Sequence, residues 1–463
     1  MLLISPVTAV TMDARRRIIS QAAIAVEGQR IAALGKAADL ARRFPGADRL
    51  DGRGMLALPG LIDAHVHSDQ AILRSFADDL PWQPYLFERV FPLLKHRSSA
   101  DALASLKLCM LEMIRSGTTC FVDCMVHSRY DFDLLTQAAV DMGLRVTLAK
   151  YAMPQAAIQN SSAIDAGKLS SQDESLAAIE RAIRAWHGAA DGRIQVWYGP
   201  LVPRDPQTCS PAFYQTIAER AAALNTGITM HLGAEREDIA FFADHFNMRP
   251  AEFAHTHGLS GPNVLLINGC HFNEVEIDIL AESGTSLAHS PSANMKMASG
   301  VARVPAMRAR GVAVALGTDA GANNNCHDML REMKAASLLH NLTRMDAAAL
   351  TAEDVIEMAT IEGARAIGRA HEIGSLEAGK QADLILVDLH KAHSMPVHDP
   401  LANLVYAAHG GDVDTVMVAG KLLMRSRQLV GIDESAILAE AQALGSDLLR
   451  RAGMEVRPNW PLE

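Results

Sequence analysis

Eight apolar, strand-like runs recur along the middle of this 463-residue chain, and helical segments separate most of them. Those segments are rich in Ala, Leu and Glu, and residues 99–117 show apolar side chains at helical spacing. Strands that alternate with helices form a parallel sheet, and eight such units fit a (β/α)8 TIM barrel, an α/β fold. The eight runs are residues 58–67, 118–124, 144–151, 194–200, 227–233, 264–272, 285–291 and 312–320.

Both ends of the chain have a different pattern from the middle. Residues 1–56 alternate with period two and are broken by Gly-Gln and Asp-Gly-Arg-Gly, which is typical of short antiparallel strands. Similar alternation returns near the end of the chain. We therefore predict a small β-sandwich domain built from both termini, with residues 1–56 as its first part, 57–372 as the barrel, and 373–463 as its second part plus a C-terminal helix.

Composition excludes several classes of protein. A net charge of −10 without any basic run argues against nucleic-acid binding, which needs a clustered cationic face. No apolar run is long enough to span a membrane, and the N-terminus lacks a signal-peptide pattern. The six cysteines (109, 120, 124, 209, 270 and 326) form no CxxC pair and are expected to be reduced thiols. We predict a cytoplasmic protein that contacts neither membrane nor nucleic acid.

Polar residues at the ends of three runs predict a metal site. His65 and His67 end the first run, and residues two apart on a strand point to the same side, so both imidazoles can reach one metal. His231 ends the fifth run and Asp319 the eighth. Alone, each would be an ordinary hydrogen-bonded histidine or a turn-capping aspartate. Because active sites of such barrels lie at the C-terminal ends of the strands, we predict that these four bind one divalent metal, zinc or else iron or cobalt.

A metal held in this way lowers the pKa of a water molecule to about 7. Asp319 then has a second predicted task, which is to take the proton from that water. The pattern therefore favours an enzyme that uses activated water, a hydrolase.

Five segments resemble the chlorohydrolase and deaminase branch of the amidohydrolase superfamily, which includes triazine hydrolases and guanine, cytosine and adenosine-type deaminases. They are LPGLIDAHVHSD (58–69), MHLG (230–233), LAHSPSANMKMASGVARVPAM (287–307), GVAVALGTDAGANNNCHDML (311–330) and IGSLEAGKQADLILVDL (373–389). The resemblance implies a TIM barrel flanked by a β-sandwich, one divalent metal on the four ligands named above, and a homo-oligomer. It also implies hydrolysis of a C–N or C–Cl bond in a small, heterocyclic molecule. His289 matches a family histidine, either catalytic or a hydrogen-bonded wall residue, and Asn294 matches an asparagine that holds its loop.

The chain departs from this branch on strands four, five and six. The branch has His-x-x-Glu on strand five, whereas Ala234 occupies the fourth position here and Glu235 follows. A one-residue bulge would aim Glu235 into the site as the catalytic acid; otherwise it is a solvated side chain. On strand six Asn268 replaces a histidine; it is a weak zinc ligand that we expect to contact substrate. His271 is the candidate substitute for the missing imidazole, or else a loop residue. Near Leu201 the branch often has another histidine.

Three further residues have two interpretations each. Lys150, at the end of the third run, is either a snorkelling side chain or a carbamylated ligand of a second metal, so the number of metals stays open. Trp82 and Tyr85 follow the first run, and either line an apolar substrate pocket or pack between helices.

These departures leave three functions open. The first is a deaminase-like or chlorohydrolase-like enzyme, an amidohydrolase that acts on C–N bonds other than peptide bonds. The second is a hydrolase of a urea, carbamate, thiocarbamate or amide bond in a small molecule, for which activated water and a base suffice. The third is a catalytically inactive barrel that retains its metal.

Overall fold

The structure is a computed structural model that describes residues 1–153, 171–203 and 210–456, together with Trp460. Cys209 lies outside these residues. The other five cysteines are free thiols. Within the described residues the chain forms eighteen strands in two separate sheets, with helices between most of the strands of one sheet.

The first sheet is the predicted barrel, and all its strands are parallel. Its strands are β6 (Leu61–His67), β7 (Thr118–Val126), β8 (Arg145–Ala152), β9 (Ile194–Pro200), β10 (Ile228–Leu232), β11 (Val264–Asn268), β12 (Ser286–His289), β13 (Val314–Leu316) and β14 (Asp319–Ala320). Seven of the predicted runs overlap β6 to β12, and the eighth contains both β13 and β14. The predicted α/β barrel class is confirmed.

The eighth strand closes the barrel in two pieces. β13 pairs with β12, while β14 pairs with β6, so the last strand bridges the two ends of the curled sheet. Gly317 lies between the two pieces, and a Cβ built on it would stand 2.7 Å from the Cβ of His65. Only glycine allows β6 and the eighth strand to approach this closely.

Alternate residues of the strands face the barrel interior and the surrounding helices, as the period of a strand requires. Small and branched side chains fill the interior, among them Ile62, Ala64, Cys120, Val122, Ala149, Ile267, Ala288 and Ala315. Their neighbours along the strands pack outward against the helices, among them Leu61, Phe121, Leu148, Leu266, Leu287 and Leu316. The interior is therefore packed, and the open end of the barrel is left for a site.

The α-helices have the following bounds: Ala37–Arg43, Trp82–Pro84, Phe91–Leu94, Ser99–Ser116, Phe132–Met142, Gln172–Trp186, Ala189–Gly192, Pro211–Ala223, Arg236–Phe246, Pro250–Thr256, Glu274–Ser283, Pro291–Lys296, Val304–Ala309, Met329–Arg344, Ala352–Met358, Ile361–Ala366, Pro400–Tyr406 and Glu434–Arg451. Tyr85–Val90 is a π-helical turn, and Ser68–Leu73 and Gly410–Asp412 are 3-10 turns. Among the described residues, no helix combines the length and apolarity needed to cross a membrane.

The second sheet is mixed and draws its strands from both ends of the chain. They are β1 (Leu2–Val10), β2 (Ile18–Glu27), β3 (Arg30–Lys36), β4 (Asp48–Leu50), β5 (Met55–Pro59), β15 (Leu384–Asp388), β16 (Val413–Val418), β17 (Lys421–Arg425) and β18 (Gln428–Leu429). β1 pairs with β4 along its first half and with β5 along its second half, so the sheet divides into two arms around one core. The domain boundaries themselves stay predictions.

A buried ion pair ties the two sheets together. The Arg145 guanidinium at the start of β8 donates to both carboxylate oxygens of Asp383, and Asp383 also accepts from the Ala419 amide. Both side chains are almost fully buried. Breaking such a pair by removing one partner leaves an uncompensated buried charge, which typically costs about 3–5 kcal/mol.

The C-terminal helix Glu434–Arg451 packs on the barrel. Leu448 shares one apolar cluster with Leu73, which follows β6, and with Tyr85 and Leu93 in the segment 82–97. Arg451 donates to the His96 carbonyl and to the buried Asp101 carboxylate. We call residues 82–97 the covering segment, because they lie over the open end of the barrel.

Candidate metal centre and catalytic cavity

Three histidines and one carboxylate converge where β6, β10 and β14 end. His65 Nε2 lies 3.3 Å from Asp319 Oδ1, and His67 Nε2 lies 3.6 Å from the same oxygen. His67 Nε2 and His231 Nε2 are 3.3 Å apart. The structure thus brings together the four residues that the sequence predicted as ligands, from parts of the chain that are far apart in sequence.

Three separations within this set, 3.3 Å, 3.6 Å and 3.3 Å, fit ligands of one tetrahedral metal. Ligands held at 2.0–2.1 Å around a tetrahedral zinc are separated from one another by roughly 3.3–3.5 Å. Neither ring nitrogen of His65 has a hydrogen-bond partner within the described part of the chain, although the side chain is fully buried. A buried imidazole in that state is expected to serve another ligand. The donor set of three nitrogens and one carboxylate oxygen is one that zinc prefers.

Charge in this cluster favours metal binding. Burial, followed by the neighbouring His65, lowers the pKa of the His67 imidazole to about 4, so the ring is neutral at physiological pH. Burial opposes ionisation of Asp319, but His65, His67 and His231 outweigh it, and the pKa of the Asp319 carboxyl lies below its ordinary range. Neutral imidazoles and an ionised carboxylate are the forms that bind a metal.

Asp63 holds the eighth strand against β6. Its carboxylate accepts hydrogen bonds from the Thr318 amide at 2.9 Å, from the Thr318 hydroxyl at 2.5 Å and from the His65 amide at 3.3 Å. The next residue, Asp319, has a left-handed backbone with φ +66°, a conformation that aspartate tolerates better than most residues. Asp63 therefore fixes the backbone on both sides of the cluster.

Cys124 is a neighbour of the cluster that the sequence reasoning missed. Its Sγ lies 3.7 Å from Nδ1 and 3.6 Å from Nε2 of His67, so the sulfur is almost equidistant from both ring nitrogens. With His65, His67 and His231 it forms a second set of donors close enough to share a metal. Burial keeps the pKa of the thiol well above its usual value, and we prefer Asp319 as the fourth ligand.

A cavity of about 960 Å³, a volume that includes its open mouth, adjoins the cluster. His67, His231 and Asp319 form part of its floor. Much of its wall is apolar and comes from the covering segment and from strand ends: Trp82, Tyr85, Leu86, Val90, Phe91, Leu94, Met125, Leu201, Val202 and Met297. Trp82 and Tyr85 therefore line the pocket as the sequence suggested, and the Tyr85 hydroxyl donates to Gln70 Oε1 at 2.9 Å.

Glu235 faces this cavity. Gly233 has φ +61°, where a Cβ would meet the Phe272 ring at 2.5 Å, and this turn accommodates the extra residue between His231 and Glu235. The Asp238 carboxylate then accepts from the Ala234 and Glu235 amides and starts the helix Arg236–Phe246. Glu235 is only 8% exposed and lines the same cavity as His231. Its role as the acid stays a prediction, but its position is the inward one.

Asn268 also lines the cavity, at the end of β11. Its backbone is left-handed, with φ +75°, and its Oδ1 accepts from Asn294 Nδ2 at 3.1 Å. Both side chains are buried. Asn268 thus occupies the place that the strand-six histidine has in the resembling branch, without a metal-binding imidazole.

The structure does not bring His271, His289 or Lys150 into the cavity. His271 Nε2 lies 2.8 Å from the Ser299 carbonyl, because Asn268 and Gly269 turn the chain away before it. His289 is fully buried, and its Nε2 lies 3.1 Å from His340 Nε2 rather than at the cavity wall. Lys150 places its Nζ over the Phe132 ring, 4.8 Å from the centroid. That contact fits the snorkelling interpretation, and the role of Lys150 as a ligand of a second metal stays a prediction.

His127 is a second missed residue. It follows β7, is 7% exposed, lines the cavity and packs between the Tyr130 and Tyr151 rings. Nearby, Asp69 accepts from Arg97 and Tyr130 beneath the covering segment. The rule that polar residues at strand ends form the site, applied to the second run as it was to the first, would have found both Cys124 and His127.

Comparison with known proteins assigns the family. Residues 56–423 match the amidohydrolase family, and residues 22–47 match an imidazolonepropionase-like composite domain of bacteria. The chain belongs to the amidohydrolase family.

Curated relatives of this amidohydrolase are deaminases. A 5-methylthioadenosine/S-adenosylhomocysteine deaminase of Moorella thermoacetica is 39% identical, with 91% of this chain and 94% of the relative covered. The corresponding protein of Pelotomaculum thermopropionicum is 36% identical over 97% and 99%. A 5'-deoxyadenosine deaminase of Methanosarcina mazei is 34% identical over 95% and 96%.

A solved structure agrees with these relatives. An adenosine deaminase from Xanthomonas campestris with bound zinc is 29% identical and superposes with a TM-score of 0.88, covering 97% of this chain and 98% of that one. The predicted branch and the predicted class, a metal-dependent hydrolase of C–N or C–Cl bonds in small molecules, are confirmed.

Proposed function

We propose that this amidohydrolase is a zinc-dependent deaminase of adenosine-like nucleosides that lack a free 5'-hydroxyl. The curated relatives named above act on such compounds. The observation that carries the proposal is the inward position of Glu235, beside a three-histidine, one-carboxylate cluster in one cavity. Ring deamination needs an acid beside the leaving amine, and Glu235 is the group in place to supply it.

Each residue has a defined task in this reaction. His65, His67, His231 and Asp319 would hold the zinc, which supplies an activated water at neutral pH. Asp319 takes a proton from that water, since its carboxyl stays ionised. Glu235 carries a proton to the heterocycle and to the departing ammonia. The apolar wall formed by Trp82, Leu86 and Phe91 holds the flat ring and excludes bulk water.

The test is ammonia release with zinc-loaded protein from 5'-methylthioadenosine, S-adenosylhomocysteine, 5'-deoxyadenosine and adenosine. We expect turnover with the first three and weaker turnover with adenosine. His231→Ala should lose both metal and activity. Lys150→Met is the matched control and should keep both, because the Lys150 Nζ lies over the Phe132 ring. Equal turnover in His231→Ala, or none with any of the four compounds, would refute the proposal.

A second candidate is a hydrolase of ureas or carbamates. Asn268 and Leu201 stand where the resembling branch has histidines, and both line the cavity. A carbonyl substrate needs no ring protonation, so a carboxamide in place of an imidazole would be adequate. Turnover of a phenylurea or carbamate that survives Glu235→Gln would favour this reaction over deamination.

The predictions of a homo-oligomer and of a cytoplasmic location belong to the same proposal. The family resemblance supports the first, and sedimentation analysis of the purified protein tests it. A sedimentation coefficient of a 49.8 kDa monomer at micromolar concentration would contradict it.

A further inference from the structure

Two side chains at one edge of the cavity carry polar atoms that have no hydrogen-bond partner in the described part of the chain. Asn294 Oδ1 and Ser299 Oγ are both buried and have no hydrogen-bond partner among the described residues. Asn294 is 1% exposed, Ser299 is 6% exposed, and both line the cavity that contains the metal cluster. Buried polar atoms are almost always satisfied, so two adjacent exceptions at a cavity wall point to a ligand.

The orientation of the Asn294 carboxamide follows from its neighbour. Its Nδ2 donates to Asn268 Oδ1 at 3.1 Å, which leaves its Oδ1 as the end without a partner. A carboxamide oxygen can only accept a hydrogen bond. The group that completes it must therefore bring an N–H or O–H.

His271 holds this edge in place. Its Nε2 lies 2.8 Å from the Ser299 carbonyl, and the Ser299 amide donates to the Asn294 carbonyl at 3.1 Å. Arg249 in turn donates to the His271 carbonyl and pairs with the buried Glu276. The backbone of Ser299 is thus fixed from both sides, while its hydroxyl has no partner among the described residues.

We propose that Asn294 Oδ1 and Ser299 Oγ bind an N–H group of the substrate, and that they make this site selective for amino-substituted over chloro-substituted heterocycles. The inference deepens the proposed deaminase function. A ring carrying NH2 offers the hydrogen that Asn294 Oδ1 needs, whereas a ring carrying Cl offers none and leaves the oxygen buried without a partner. Both reactions consume one water and form the same hydroxylated ring, releasing ammonia in one case and HCl in the other.

The experiment compares 5'-deoxyadenosine with its 6-chloropurine counterpart. The wild type should favour the amino compound in kcat/KM by about 10-fold to 100-fold, the usual consequence of one unsatisfied buried acceptor. Asn294→Ala should remove most of this ratio by slowing only the amino compound. Asn294→Asp retains an acceptor and should keep the preference. A role of Asn294 limited to supporting Asn268 would slow both compounds equally, and an unchanged ratio in Asn294→Ala overturns the inference.

Ser299→Ala covers the case in which Asn294→Ala fails to fold. The Ser299 hydroxyl has no partner in the described chain, so its removal should leave the melting temperature unchanged and lower the amino preference about 3-fold to 10-fold. Ser290→Ala is the matched control. Ser290 Oγ is equally buried and unpartnered among the described residues, but Ser290 does not line the cavity, so the ratio should stay at the wild-type value.

A binding measurement separates this inference from the proposed function. Calorimetric titration of the zinc-loaded protein with adenine and with 6-chloropurine reports selectivity without turnover. Tighter binding of adenine without deamination of any nucleoside refutes the deaminase and retains the amino-selective edge. Equal binding of the two bases, or a preference for adenine that persists in both Asn294→Ala and Ser299→Ala, overturns the edge even if deamination is observed.

Discussion

Two clusters among the described residues bring histidines close to a carboxylate, and they differ in what their ring nitrogens already contact. At the barrel mouth, neither ring nitrogen of His65 has a hydrogen-bond partner within the described residues. Asp319 Oδ1 lies 3.3 Å from His65 Nε2 and 3.6 Å from His67 Nε2. The second cluster comprises His393, His409 and Asp412, and lies on a loop of the terminal sheet.

The surface cluster is already satisfied by hydrogen bonds. His393 Nε2 lies 2.8 Å from Asp412 Oδ2, and that oxygen also accepts the His409 amide at 3.0 Å. His409 Nδ1 accepts from the Gly411 amide at 3.0 Å, which keeps the ring proton on Nε2, the nitrogen that a metal would need. The two imidazoles are 42% and 49% exposed at their side chains. Similar residue types therefore form a ligand set in one place and a turn in the other.

The difference shows that burial and unmet hydrogen bonds, rather than residue type, identify a site. A buried imidazole without a protein partner is costly unless something else binds it. An exposed pair of imidazoles that is hydrogen-bonded within its own loop carries no such penalty and needs no metal to satisfy it. The following predictions test this contrast, beginning with the largest effect.

His65→Ala should abolish metal binding and lower kcat by at least about 10³-fold, because the cluster loses the ligand that has no other partner. His409→Ala is the matched substitution in the surface cluster and should keep the full metal content. Plasma mass spectrometry of metal per chain checks both variants. Loss of one metal equivalent in His409→Ala, with His65→Ala unaffected, would reverse the comparison.

Glu235→Gln should lower kcat by about 10²-fold to 10⁴-fold while the metal stays bound, because an amide cannot carry the proton. The exposed neighbour Glu237 provides the control, and Glu237→Gln should act like the wild type. The two variants together separate a buried carboxylate at the cavity from a solvated one two residues later. A drop in metal content in Glu235→Gln would instead make Glu235 a ligand.

The buried carboxyl of Glu332 makes the stability of the protein depend on pH in a way that an exposed carboxyl would not. Burial raises the pKa of its carboxyl to about 7, although it accepts hydrogen bonds from Ser292 and Asn324. Because the folded pKa lies above the ordinary 4.5, the native state favours the protonated form. The stability gained is complete below pH 4.5 and is lost as pH rises through 7.

Between pH 5 and pH 8 this group should therefore reduce the free energy of unfolding by about 2.5 kcal/mol. Urea denaturation at both pH values measures it. Glu332→Gln, whose side chain does not titrate, should show the smaller pH dependence. An identical pH dependence in the two proteins would mean that Glu332 ionises in the folded state as it does in water.

His393→Ala should have the smallest effect, a loss of less than about 1 kcal/mol of stability with unchanged kcat, because exposed ion pairs contribute little. Thermal unfolding checks the first statement and the ammonia assay the second. A loss of several kcal/mol would show that the surface cluster supports the terminal sheet more strongly than its exposure suggests.

The sequence predicted the barrel and brought out the metal cluster because both depend on local patterns. His65, His67, His231 and Asp319 each end an apolar run, and parallel strands gather their ends at one face whatever the loops between them do. The terminal sheet could be predicted for a similar reason, because period-two alternation can be recognised in each strand without knowing which strands pair.

The rest of the site depends on tertiary contacts that a single sequence does not specify. His289 ends a strand just as His231 does, but its ring contacts His340 of the helix Met329–Arg344 and does not line the cavity. Whether Glu235 faced the cavity depended on the backbone of Gly233. Ser299 lines the cavity, and its backbone is held there by a contact with His271. His271 belongs to a different segment of the chain, so the sequence gives no sign of this contact.

The C-terminal helix has a consequence for how the protein is made. All four predicted ligands precede residue 320 in the chain, whereas the helix Glu434–Arg451 that packs on Leu73, Tyr85 and Leu93 is synthesised more than a hundred residues later. Until that helix emerges from the ribosome, the apolar patch beside the covering segment has no protein to cover it. We expect chains truncated at Gly431 to bind hydrophobic dyes and to be retained by chaperones, even though every metal ligand is present.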